Sequence, residues 1–249
     1  VLLRRHRADD TVTKAIARVL RPLGYTVAGV YPLDRLGMTG RAYAHQDLPA
    51  GITQFFVSEL HPERFSPAFQ EAVQRVVSTS VDPLPTWALN LLEVLGAEGE
   101  LPLTQAVRLL PNLVACFDRQ HEEPTLADYE TLLAESKEMA WIATEGNAFN
   151  HATDRVADVA AVAQAQKDLG RPMKENLEVG SQGRVIQTAF RAAMVERLFV
   201  AEGGALAAKV VPGSFHEFIT RHEKQAGILD LSFDSSNAQA IFKMTSVEC

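Results

Sequence analysis

The stretch EGNAFNHATDRV, residues 145–156, decides the fold because the hydrophobic period changes inside it. Before Gly146 the apolar residues recur at helical spacing. After it, FNHATDRV alternates in the manner of a strand and carries one histidine, His151. A lone histidine on an alternating segment is ordinarily structural, so a ligand role for His151 depends on what the rest of the chain brings to its face.

Downstream, ADVAAVAQAQKDL (157–169) reads as a helix capped by Gly170. RPMKENLEV (171–179), RVIQTAFRA (184–192), RLFVA (197–201) and KVVPGSFHEFITR (209–221) read as strands, with a turn at Glu202 to Gly204. Upstream, residues 66–145 are helical in character, punctuated at Asp82 to Pro85 and at Glu122 to Thr125, with Thr125 as an N-cap. Earlier still, VLLRR precedes a helix whose apolar residues Val12, Ile16, Val19, Leu20 and Leu23 share one face and which Gly24 closes. Three strand-like runs follow: YTVAGVY (25–31), GRAYAH (40–45) and ITQFFVSEL (52–60).

The same order, strand then helix then strands, thus occurs twice. The expected fold is α+β: two pseudo-repeated strand-helix-strands modules, residues 1–65 and 147–249, forming a curved mixed or antiparallel sheet around a metal site, with a helical insert over 66–146. Aligning HATDR (151–155) so that Arg155 meets Arg4 sets Ala152, Thr153 and Asp154 on Val1, Leu2 and Leu3. The counterpart of His151 is then expected immediately before Val1, and the first module is expected to be cut short at its N-terminus.

Composition narrows the function classes. Hydrophobic content of 47% with 22% charged residues is that of a globular chain. A net charge of −7, with its 24 Lys and Arg scattered, argues against a nucleic-acid partner. No apolar run approaches a membrane span and no leader opens the chain, so a soluble cytoplasmic protein is expected. Cys116 and Cys249 are too few for a disulfide framework and lack zinc spacing, which suits a reducing compartment. Oligomeric state is not legible.

Two histidines and one carboxylate suit non-haem ferrous iron, because three ligands leave adjacent positions open for substrate and oxygen. Glu217, between Phe215, Phe218 and Ile219, is the carboxylate candidate: in such a run it is solvent-facing, paired with Arg221, or bound to metal. His216 points to the opposite face of the strand, and Glu59 holds the equivalent place in the first module. His6, His45, His61, His121 and His222 lie in charged, loop-like surroundings and read as solvated. Arg4 is either a strand-end arginine or a bidentate receiver of a substrate carboxylate. Gln187, Ala189 and Arg191 share one strand face, which makes Gln187 a cavity contact or an inter-strand hydrogen-bonding residue.

NHATDRV, GRVIQTAFRA and VPGSFHEFITR, together with YPLDRLGMTGRAYAH and FFVSELHPERFSP, resemble the 2-oxoadipate dioxygenase/decarboxylase family, also called hydroxyglutarate synthase. The resemblance covers nearly the whole chain. It implies a relative of the vicinal oxygen chelate fold that uses Fe(II) and O2 to convert 2-oxoadipate to 2-hydroxyglutarate and CO2. It further implies that His151 and Glu217 ligate the iron, that Arg4 binds substrate in an H-x-x-x-R pattern whose histidine falls just before Val1, and that Gln187 and Arg191 line the substrate cavity, with Arg4 and Gln187 serving catalysis. Two other readings are a non-catalytic small-molecule binding module of the same fold, and another metal-dependent dioxygenase or isomerase.

Overall fold

The computed structural model describes residues 2–3 and 12–233. Arg4, His6 and Cys249 lie outside the described residues, so the readings made on them stand as expectations. The chain divides into two units: residues 1–148 with 198–209, and residues 149–197 with 210–249.

In the first unit the strands β1 (Leu2–Leu3), β2 (Tyr25–Leu33), β3 (Met38–His45) and β4 (Phe55–Leu60) form one sheet in the order β1-β4-β3-β2. The β1–β4 pair is parallel and the other pairs are antiparallel. Helix α1 (Val12–Leu20) spends its apolar stripe on two neighbours. Ile16 and Leu20 pack with Tyr25, Tyr43 and Val57 of the sheet, while Val19 packs with Leu84, Ala88, Leu92, Leu109 and Cys116 of the helical segment. Burying each such aliphatic side chain is worth about 1.5–3 kcal/mol, so α1 fastens the insert to the sheet.

The insert comprises α2 (Pro67–Ser78), α3 (Thr86–Glu98), α4 (Leu103–Ala115), α5 (Leu126–Glu135) and α6 (Lys137–Glu145). The α5 N-cap is Thr125, whose hydroxyl accepts from the Asp128 N–H. Asp128, almost wholly buried, takes the Arg75 guanidinium of α2 at 2.7 Å. Cys116 is a buried free thiol, pushed up to about 11 chiefly by burial, which leaves it unreactive.

In the second unit β5 (His151–Arg155), α7 (Val159–Asp168), β6 (Glu178–Val179), β7 (Val185–Ala189) and β10 (Phe215–Arg221) repeat the first pattern. Their sheet order, β5-β10-β7-β6, matches β1-β4-β3-β2 element for element, again with the first pair parallel and the rest antiparallel. Helix α7 is capped by the Asp158 side chain, and its Val159 N–H donates to the Thr220 hydroxyl, which fixes it to the Thr220 face of β10. Between β7 and β10 the chain makes the hairpin β8 (Met194–Val200) and β9 (Leu206–Pro212). The outer part of this hairpin belongs with the first unit: fully buried Phe199 meets the Tyr129 ring at 4.8 Å, and the Val200 N–H donates to the Pro124 carbonyl.

One expected strand is largely missing. RPMKENLEV pairs only through a bridge from Met173 to Phe190 and the two residues of β6. Pro172 offers no N–H, and the polar run 174–176 gains nothing by lying flat on a sheet. His121, read as solvated, is buried: its Nε2 bonds the Ala143 carbonyl at 2.9 Å, and burial lowers its pKa.

Gly146 joins the helical run to β5 with φ +64° and ψ −122°. A Cβ there would stand 2.4 Å from the Arg119 Cα, a backbone atom that cannot swing aside. Gly146→Ala is therefore expected to cost at least about 2 kcal/mol in urea unfolding, and a variant within about 0.5 kcal/mol of wild type would contradict this reading.

Candidate functional site

The register of the second sheet brings the sequence candidates onto one face. In the parallel pair, His151 lies opposite Phe215 and Thr153 opposite Glu217. In the antiparallel pair, Glu217 lies opposite Ala189 and Ile219 opposite Gln187. Because partners in register project to the same side, His151, Thr153, Glu217, Ala189 and Gln187 share a face, and α7 is fixed to the other. His216 falls on that other face and bonds Asp154 at 3.2 Å.

Each shared-face residue has a physical signature. The His151 ring stacks on Phe215 at 5.1 Å and 13°, which holds its orientation. Its Nδ1 is closed off from solvent and has no hydrogen-bond partner among the described residues; both side-chain atoms of the preceding Asn150 are in the same condition. Burial pushes the imidazole down to about 4, with the Lys174 charge acting in the same sense, so it is a neutral lone-pair donor at neutral pH. Glu217 is buried and accepts a 2.9 Å hydrogen bond from the Thr153 hydroxyl. Burial pushes its carboxyl up to about 7, against the opposing pull of Thr153 and Lys174. Arg221 donates instead to the carbonyls of Asp230 and Ser232.

The first unit shows what a satisfied version of this carboxylate looks like. Glu59 lies opposite Thr39 and Leu2 as Glu217 lies opposite Ala189 and Thr153. Arg41, two residues beyond Thr39, bonds the Glu59 carboxylate at 2.9 Å. The corresponding position two residues beyond Ala189 is Arg191, which gives Glu217 no such partner. Read as sharing the Gln187 face, Arg191 instead lies past the end of β7, exposed, in a cleft with Lys167, Gly170, Arg171, Pro172, Met173 and Glu175. The same register makes Leu2 the counterpart of Thr153, since each lies opposite the glutamate of its own sheet.

Gln187 is buried and donates through Nε2 to Glu178 Oε2 at 3.0 Å. The other Glu178 oxygen pairs with Lys174, whose side chain is 14% exposed. The Lys174 N–H in turn donates to the Ala189 carbonyl, so Lys174 sits one strand position from Ala189 and two from Glu217. No local pattern marks this pair, since Lys174 and Glu178 lie in RPMKENLEV, which reads as an ordinary strand. Of the remaining histidines, His61 bonds Thr39 at 2.8 Å, His45 lies edge-on to Tyr25, and His222 is exposed. Among the described residues no three His, Cys, Asp or Glu side chains converge; His151 and Glu217 are two.

The profile of the 2-oxoadipate dioxygenase/decarboxylase family matches residues 8–226. The chain belongs to that family. The structure is similar to that of a protein from Ralstonia eutropha JMP134 described as glyoxalase-superfamily, at 56% identity and a TM-score of 0.89, covering 94% of this chain and 72% of the other. It is also similar to hydroxyglutarate synthase from Oryza sativa in complex with 2-oxoadipate (20% identity, TM-score 0.70, 97% and 78% covered) and to the Pseudomonas putida enzyme with the same ligand (20%, 0.66, 92% and 56%). At these identities the two synthases show the fold. No curated protein matches significantly.

For this family member the two groups titrate with opposite sign in the metal-free state. Glu217 is raised from 4.5, so the stability it contributes is complete below pH 4.5 and is lost as pH rises through about 7. His151 is lowered from 6.5, so its contribution is complete above pH 6.5 and is lost as pH falls through about 4. Chelator-treated Glu217→Gln is expected to gain about 3 kcal/mol on wild type between pH 4.5 and pH 8, read from urea midpoints at each pH. Parallel stability curves for the two proteins would contradict the assigned burial.

Proposed function

We propose that this protein is an Fe(II)-dependent dioxygenase/decarboxylase that converts 2-oxoadipate and O2 to 2-hydroxyglutarate and CO2. The observation that supports it best is the pairing, on one sheet face, of a buried imidazole nitrogen without a partner and a buried carboxyl held by one hydroxyl. Both features are costly in a fold that uses them for nothing, and both suit a divalent cation. His151 and Glu217 would hold the metal, the third ligand being the histidine expected four residues ahead of Arg4. Fe(II), when bound, supplies a chelating centre for the 2-oxo acid and the redox chemistry that activates O2.

The chain's own residues do the rest. Phe215 fixes the plane of His151, and the Thr153 hydroxyl fixes the rotamer of Glu217. Glu217 takes a cation only after losing its proton, so metal loading is favoured above pH 7. Arg4 anchors a substrate carboxylate, and Gln187, through Glu178, keeps the neighbouring wall of the face in place.

The test is oxygen consumption and CO2 release by iron-loaded, full-length protein across a panel of 2-oxo acids and catechols. Turnover of 2-oxoadipate is expected, and a catechol preference would support the extradiol-type alternative instead. His151→Ala and Glu217→Ala should each weaken iron binding by at least about a hundredfold while the circular dichroism spectrum is retained; stoichiometric iron in either variant removes that residue from the ligand set. Arg4→Ala should raise KM with iron still bound, and unchanged kinetics would end its anchoring role.

A further inference from the structure

Lys174 is a half-buried cation on a face that otherwise carries a neutral imidazole and a carboxyl. Its backbone N–H bonds the Ala189 carbonyl at 3.0 Å, and Ala189 lies opposite Glu217. Thr153, Glu217, Ala189 and Lys174 therefore form one row across the sheet, and two strand spacings place the Glu217 and Lys174 backbones about 10 Å apart. Ala189 between them is fully buried and contributes only a methyl group. Glu178 spends one oxygen on Lys174 and the other on Gln187, so its carboxylate is held from both sides. An ammonium has three donors and no acceptor, and one side-chain partner among the described residues leaves two of them to fill.

We propose that Lys174, positioned by Glu178 and Gln187, receives the distal carboxylate of a dicarboxylic 2-oxo acid and sets the preference for dicarboxylic over monocarboxylic substrates. The inference rests on the function proposed above, since it takes the 2-oxo end of the same molecule to lie at His151 and Glu217. It assigns Lys174 and Arg4 different tasks, and it gives the Lys174, Glu178 and Gln187 chain a purpose that sheet stability alone does not require. Neutralising Lys174 leaves the row, the hydroxyl on Glu217 and the ring stack on His151 untouched.

The test compares 2-oxoadipate with 2-oxohexanoate, which has the same carbon chain without the second carboxylate, on iron-loaded full-length wild type, Lys174→Met and Lys174→Arg. Two readouts are taken: KM against kcat, and equilibrium binding by calorimetry under anaerobic conditions. Lys174→Met should raise KM and Kd for 2-oxoadipate at least tenfold, with kcat little changed and 2-oxohexanoate affected less than twofold; Lys174→Arg should restore most of the preference. Equal losses on both acids, or no loss on either, would overturn the proposal. Should Lys174→Met not fold, Lys174→Gln carries the same comparison, and a wild-type preference in that variant overturns it equally. If wild type turns over neither acid, the proposed reaction fails, and calorimetry alone decides Lys174: equal affinity of wild type for the two acids ends its role.

Discussion

The parallel pairing of β5 with β10 is the constraint on which the rest depends. It sets Thr153 against Glu217 and His151 against Phe215, and from those two contacts follow the orientation of the carboxyl, the plane of the imidazole and their common face. A slip of one residue would send His151 to the face α7 is fixed to and leave Glu217 without the Thr153 hydroxyl. Such a register is held where a buried face specifies it. Here Phe215, Ile219, Ala189 and Val185 are buried on the shared side.

The two halves of the repeat show how one topology yields different chemistry. Both place a glutamate at the same point of the strand next to the parallel partner, and both are deeply buried. Glu59 meets Arg41 and is neutralised within its own sheet. Glu217 meets a hydroxyl, and its counterpart arginine, Arg191, has moved past the strand end to the surface. The difference between the two carboxyls is thus their partner: a guanidinium for Glu59 and a hydroxyl for Glu217.

The architecture was legible from the chain because it depends on local period and punctuation. The helical stripe of Ile16, Val19 and Leu20, the change of period at Gly146 and the alternation in VIQTA and FHEFITR each announce an element without knowledge of its partners. The alternation also showed that His216 could not accompany Glu217. What stayed hidden depends on pairing between distant segments. That His151 and Glu217 share a face is set by a register across more than sixty residues. The failure of RPMKENLEV to extend as a strand, the burial of His121 against the Ala143 carbonyl, and the Lys174–Glu178 pair beside Gln187 are likewise tertiary outcomes that no local pattern encodes.

His151 and Glu217 are proposed to ligate one iron. Anomalous diffraction at the iron edge from crystals of the iron-loaded full-length protein tests it most directly. One anomalous peak is expected, bonded to a ring nitrogen of His151 and a carboxylate oxygen of Glu217. Iron bound elsewhere, with the His151 nitrogen and the Glu217 carboxyl still unligated, would contradict it.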